Sequence, residues 1–190
     1  MRLEELAKLE GDGINVTWKS YLLRPQPEER SIEQFIEYTN NWQRPADMEP
    51  TAPFSWPWSG QNAPPSYSVP AAVAGKVAAT FGQESWHLFH RRLLETYFVE
   101  NRTISELDVF SDVAAEVGID EAEFRSTYLD QSSMLAQSVL EEHNEAIRRG
   151  VNGVPAVVVE DTYLISGAVD VAHYQAALER YREVRATEQV

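Results

Sequence analysis

Gly150-Val151-Asn152-Gly153-Val154-Pro155-Ala156-Val157-Val158-Val159, followed by the shorter apolar run Tyr163-Leu164-Ile165-Ser166-Gly167, decides the fold. Gly150 and Gly153 flank Asn152, a pattern that favours a tight turn with positive φ. The β-branched run after Pro155 reads as a buried strand, and Glu160-Asp161-Thr162 as the turn of a hairpin. Asp170 can cap a closing helix in which Val171, Tyr174, Leu178 and Tyr181 share one face. Pro155 removes a ladder donor, so it belongs at the mouth of the strand. Its residues alone allow a trans proline that opens the strand or a cis Val154-Pro155 bond.

Working outward, the 190 residues are 43% apolar, enough for one domain with a core, or for a core plus an insertion. Thirty acidic and sixteen basic side chains leave a formal charge of −14, which argues against nucleic acid or an anionic membrane as partner. No apolar run approaches a membrane span, and Met1-Arg2-Leu3-Glu4-Glu5 is no secretory signal, so a cytoplasmic location is expected. There is no cysteine. These residues therefore supply no disulfide, no thiolate and no thiolate metal ligand.

From the N-terminus, Leu3, Leu6 and Leu9 form a helical stripe over residues 2–9, stopped by Gly11-Asp12-Gly13. Ile14, Val16 and Trp18 alternate with Asn15, Thr17 and Lys19, predicting a strand over 14–23 that Arg24-Pro25-Gln26-Pro27 ends. Ser31, with Gln34 at the capping-box position, opens a helix to about Trp42. Residues 45–70 hold seven prolines together with Phe54, Trp56, Trp58 and Tyr67, and are expected to form a long semi-rigid loop without regular structure. Trp56 and Trp58 either staple that loop to the body or line a groove. From Val69 to Gly150 the pattern is helical. Helices are expected over Ala71–Phe81, Ser85–Val99, Ser105 to Val117, from Asp120 through Tyr128, and from Ser133 to Arg149.

Gly-Val-Asn-Gly-Val-Pro, then strand, turn, a strand ending Ser166-Gly167-Ala168, and a helix, resembles the C-terminal half of the DsbA family. More narrowly it resembles the FrnE-like branch, related to the 2-hydroxychromene-2-carboxylate isomerases and kappa-class glutathione transferases. Arg2-Leu3-Glu4, Val16-Thr17-Trp18 and Asn62-Ala63-Pro64-Pro65-Ser66 resemble further pieces of that branch. The resemblance spans about residues 2–182. It implies an α/β thioredoxin-like fold with an inserted α-helical domain: a discontinuous core of 1–30 and 150–190 around a loop and insertion of 31–149. It implies a cis Val154-Pro155 bond and a substrate that pairs with the backbone of Val154 beside Pro155, with Trp56 and Trp58 as a wall.

The family's first strand and Cys-x-x-Cys turn precede the helix in which this chain begins. The resemblance therefore implies a thiol:disulfide oxidoreductase that is redox-inactive as written. The remaining functional readings are a glutathione-dependent isomerase or transferase relative, with glutathione the one cofactor allowed, or a non-catalytic peptide-binding module. The expected partner is a protein thiol or disulfide or a small thiol. Loss of a central strand has three accounts: a start assigned downstream of the true one, a sheet that closes without the strand, or a second copy filling the gap. The last two predict association through exposed sheet edges.

No independent catalytic motif competes with this reading. His87 and His90 lie at i and i+3 with Glu84 nearby, but His-Glu-x-x-His is absent and packing is expected of them, as of His143 and His173. Nucleotide-binding and nucleophile-elbow glycine patterns are missing, and no carboxylates stand at an acid/base spacing. No catalytic residue and no metal ligand is expected. Pro155→Ala is expected to disturb the fold more than His87→Ala.

Overall fold

The computed structural model describes residues 2–48, 52–60 and 63–188. Met1, residues 49–51 of the proline-rich loop and Asn62 of the Asn-Ala-Pro-Pro-Ser stretch lie outside the described residues. The chain divides into two compact units, residues 1–21 with 142–190, and residues 22–141. The expected boundaries put 22–30 and 142–149 on the other side. Leu22 is buried in the helical core, while Glu142 and Glu145 hold Ser20 and Lys19, which draws both boundaries to their observed places.

The helical unit carries six helices among the described residues: α2 (Ile32–Thr39), α3 (Gln43–Met48), α4 (Val69–Thr80), α5 (Gln83–Phe98), α6 (Leu107–Glu116) and most of α7 (Glu121–Arg148). Ser31 and Gln34 close a reciprocal capping box at the start of α2, with bonds of 3.2 and 3.3 Å. A short 3-10 turn, Asn40–Trp42, then leads into α3, so Pro45 to Met48, expected in the irregular loop, are helical. Pro45 sits in the first turn of α3, where its missing N–H has no intrahelical partner to lose. Ser105 does not cap α6, which starts at Leu107 with Glu106 before it and no side-chain cap bond.

Asp120 caps α7, accepting the Glu123 N–H at 2.8 Å. The two helices expected over 120–149 are one helix of 28 residues. Gln131-Ser132-Ser133 weakens helix propensity without a proline or glycine to end it, and Phe124 and Val139 are both buried in the core, so packing carries the helix through. That core joins Val73, Ala74, Val77 and Ala78 of α4, Phe89 and Leu93 of α5, and Phe110, Val113 and Ala114 of α6. The small residues of α4 let its neighbours approach closely, and Phe89 and Phe124 stack across the contact with centroids 5.3 Å apart.

A second cluster packs Phe35, Trp42 and Trp58 with Phe54, Tyr97 and Phe98, mostly edge to face.

The hairpin unit holds α1 (Arg2–Glu10), the last turns of α7, β1 (Ala156–Val159), β2 (Tyr163–Ser166) and α8 (Val171–Glu188). β1 and β2 pair antiparallel with Val157 opposite Ile165 and Val159 opposite Tyr163. Thr162 N–H donates to Val159 O at 3.0 Å across a turn whose central residues, Glu160 and Asp161, have φ of 46 and 62°. Positive φ at both central residues matches the right-handed twist of a hairpin.

Leu6, Ile165 and Tyr174 form the buried centre of this unit, with Ile14, Val157, Val159 and Leu178 packed around them. Asp170 caps α8 by accepting the His173 N–H at 2.8 Å. Arg182 ties α8 to Glu10 of α1 at 2.9 Å.

Two expectations fail in this unit. Residues 14–23 form no strand; Ile14 is extended, with φ −140° and ψ 154°, but no ladder joins the segment to another among the described residues. A strand exists through its neighbour's hydrogen bonds, and alternation alone does not supply one. For the same reason β1 is half-buried rather than buried: its one neighbour in the described sheet is β2.

Candidate functional site

The site around Val154 is built by the end of α7. Gly150 takes φ 85° and donates to Ile147 O at 2.9 Å, while Val151 N–H reaches back to Ala146 O at 3.0 Å. Those two bonds are a Schellman motif; a side chain at Gly150 would strain that backbone conformation. Positive φ falls on Gly150 and not on Asn152 or Gly153. Val151 is buried, and the chain then turns outward so that Val154 is 52% exposed just before Pro155 and β1.

The Val154-Pro155 bond is cis, as is Trp56-Pro57. Pro155 O accepts the Gly167 N–H at 2.9 Å, which closes the base of the hairpin. Val154 N–H and C=O form no hydrogen bond among the described residues. An apolar side chain with a free donor and acceptor beside it, at the mouth of a strand, can take an extended peptide by main-chain pairing.

A chain of charges fixes this loop from behind. Arg149 donates to Glu145 at 2.8 and 3.1 Å and to Asp161 in the hairpin turn at 2.6 Å, and Lys19 reaches Glu145 at 2.7 Å. The bonds from Lys19 and Arg149 hold the Glu145 carboxyl below its usual range, and Glu145 in turn raises Arg149. From sequence Arg149 marks only a favourable helix end. Its tie to Asp161 carried no signal, because the two meet through the hairpin.

Trp56 and Trp58 belong to the helical unit. Trp58 is 2% exposed inside the aromatic cluster, its N–H donates to Thr39 Oγ1 at 2.8 Å, and its Nε1 has no partner among the described residues. Its ring organises the loop. Trp56 is 38% exposed and keeps a face open. Asn101, buried with φ 53°, stitches the same loop by accepting from Ser59 and donating to Ser55 O and Tyr97 O. Burial pushes the Tyr97 phenol up to about 12, against the opposing pull of Arg24.

No described group of three or more His, Asp or Glu side chains is placed to hold a metal ion. His90 stacks on Trp86 with rings 5.3 Å apart, His87 meets the same indole edge to face, and His143 is buried against Tyr21. No described helix is long and apolar enough to cross a membrane. With no cysteine in the chain, the segment around Val154 has no thiol nucleophile from these residues beside it.

Known proteins resemble this chain in sequence or in fold. YwbO of Bacillus subtilis (strain 168), itself uncharacterized, is 23% identical over 180 residues, 90% of this chain and 84% of that protein. A putative protein disulfide isomerase from Nitrosomonas europaea superposes with a TM-score of 0.75 at 16% identity, over 95% of this chain and 88% of its own. The cytosolic disulfide reductase DsbM from Pseudomonas aeruginosa, in a structure with GSH, gives 0.68 at 20% identity over 99% and 90%. A probable DsbA oxidoreductase from Streptomyces coelicolor gives 0.69 at 19% over 94% and 81%. These structural likenesses carry the fold, a thioredoxin-like DsbA architecture that is mostly helical with a small sheet. The DSBA-like thioredoxin domain family matches residues 1–179, and the chain belongs to that family.

Proposed function

We propose that this chain is a FrnE-like member of the DsbA family, working in the cytoplasm, whose 190 residues supply the substrate-docking side of a thiol–disulfide exchange site and none of its redox chemistry. The observation that carries the reading is Val154: exposed, apolar, with its backbone donor and acceptor free among the described residues, directly before Pro155. An extended segment of a protein thiol or disulfide adds to that backbone as a strand would. Exchange itself needs a thiolate attacking a disulfide sulfur, and the thiolate must come from outside these residues. In the helical unit, Trp56 keeps an exposed face that would take substrate contacts of its own, with Trp58 buried in the same loop.

A small thiol tripeptide would use the same pairing, and the GSH in the DsbM structure favours that as the second reading. The edge of β1 not taken by β2 makes a second copy of the chain a further partner for strand pairing.

Titration of the 15N-labelled chain with an extended, disulfide-containing peptide tests the docking role. Shifts centred on the amides of Gly153, Val154 and Ala156 are expected, with no reduction of the peptide. Shifts confined to other surfaces overturn the reading. Intact mass and a thiol count of the protein from its native source then locate the redox pair: two titratable thiols on a heavier polypeptide would put them on the same chain.

A further inference from the structure

We propose that a cleft in the helical unit, distinct from the Val154 segment, binds the zwitterionic head of a free α-amino acid or dipeptide. The cleft encloses about 380 Å³ and is lined by Glu29, Arg30, Ser66, Thr103, Ser105 and Glu106, together with Ala63 and Pro64. That volume lies at the lower end of the range for small-molecule clefts.

Three stretches of chain form its walls, and hydrogen bonds pin them to one another before any ligand arrives. Glu28 N–H donates to Ser66 O at 3.0 Å, Thr103 Oγ1 donates to Ala63 O at 2.5 Å, and Arg24 Nη1 donates to Pro65 O at 3.3 Å. Ser68 and Arg24 exchange two further bonds at 2.8 and 3.1 Å. A cleft held this way loses little entropy on binding.

Its charges point to the ligand. Three arginines of this acidic unit are matched to carboxylates: Arg92 to Glu100 and Glu116, Arg102 to Asp112, Arg125 to Asp108. Arg24 instead forms no ion pair among the described residues, and its guanidinium lies 5.6 Å from the centre of the Tyr38 ring that Arg30 covers at 5.4 Å. Among the described residues Arg30 is met by one carboxylate, that of Glu28 at 3.1 Å.

Glu29 and Glu106, on the cleft walls, have no side-chain partner among the described residues. A simple anion would be attracted by Arg30 and repelled by the two glutamates, and a simple cation would meet the reverse. A ligand that carries a carboxylate and an ammonium a few bonds apart is stabilised at both ends, and the Ser66 and Ser105 hydroxyls, without a hydrogen bond among the described residues, can bond the polar atoms between them.

The test is calorimetric titration with L-alanyl-L-alanine, its N-acetyl derivative and its C-terminal amide. The dipeptide is expected to bind with a Kd on the order of 1 mM or tighter, and each derivative at least about tenfold more weakly. Arg30→Gln and Glu106→Gln, checked for an unchanged melting profile, should each weaken the dipeptide by about tenfold or more and remove the preference for its own charged end. Equal affinity for dipeptide and derivatives, or no saturable binding in the native protein, overturns the proposal. Because the derivatives are titrated against the unaltered chain, that outcome stands even where a variant fails to fold.

Discussion

The helical unit and the hairpin unit are stabilised by very different amounts of buried apolar surface. The helical unit owns two hydrophobic clusters, with Phe35, Phe89, Phe110 and Phe124 fully buried. The hairpin unit centres on Leu6, Ile165 and Tyr174, and both faces of β1 are half-buried. Val154, the exposed residue proposed to dock substrate, lies in the second of these. Binding segments are drawn from the less stable parts of a protein, because a residue that must pair with a partner cannot also be locked in the core.

The largest consequence is in core truncation. Phe110→Ala should cost about 3–5 kcal/mol in urea unfolding, whereas Ile165→Ala should cost about 2 kcal/mol because its neighbours are only partly buried. Equal costs would erase the contrast between the units. Next, native-state hydrogen exchange should show the amides of β1 and β2 opening before those of α4 and α5; simultaneous exchange would mean that the units unfold as one.

A smaller effect concerns acid. Glu145 has its folded pKa depressed from 4.5 by Lys19 and Arg149, so its contribution is present above that value and fades as pH falls through the lower folded value. Glu145→Gln should therefore flatten part of the acid-side loss of stability, read from melting temperature against pH, and leave the neutral-to-alkaline arm parallel to that of the native chain. Last, Val154→Ser should change stability by no more than about 0.5 kcal/mol, since the side chain is exposed, yet weaken the extended peptide in the amide-shift titration. A large loss of stability there would make Val154 a packing residue and blur the distinction between the units.

Legibility in the sequence followed the range of the interactions. Ser31 with Gln34, Asp120, Asp170 and the Gly150 helix end were readable because each acts within a few residues of itself. The hairpin was readable because two apolar runs are separated by three polar residues. The single α7 was not, since Gln131-Ser132-Ser133 resembles a break until Phe124 and Val139 are seen packed in one core.

The strand expected at 14–23 shows the opposite error, a pattern that satisfied the period and lacked a neighbour. Trp58 is a third kind: composition marks an aromatic loop, but only packing separates the ring that is buried from Trp56, which stays open.

By itself the sequence determined the family signature at Gly150–Gly167, the helical content between its halves, and the exclusion of thiol chemistry from these residues, because each depends on residue identity or on contacts local in the chain. The tertiary structure alone decided which residues pair, which aromatics are buried, how Arg149 and Asp161 brace the loop before Pro155, and that Arg30, Glu29 and Glu106 line one cleft. Those outcomes join residues far apart in sequence, and no local pattern encodes a neighbour that the fold has yet to supply.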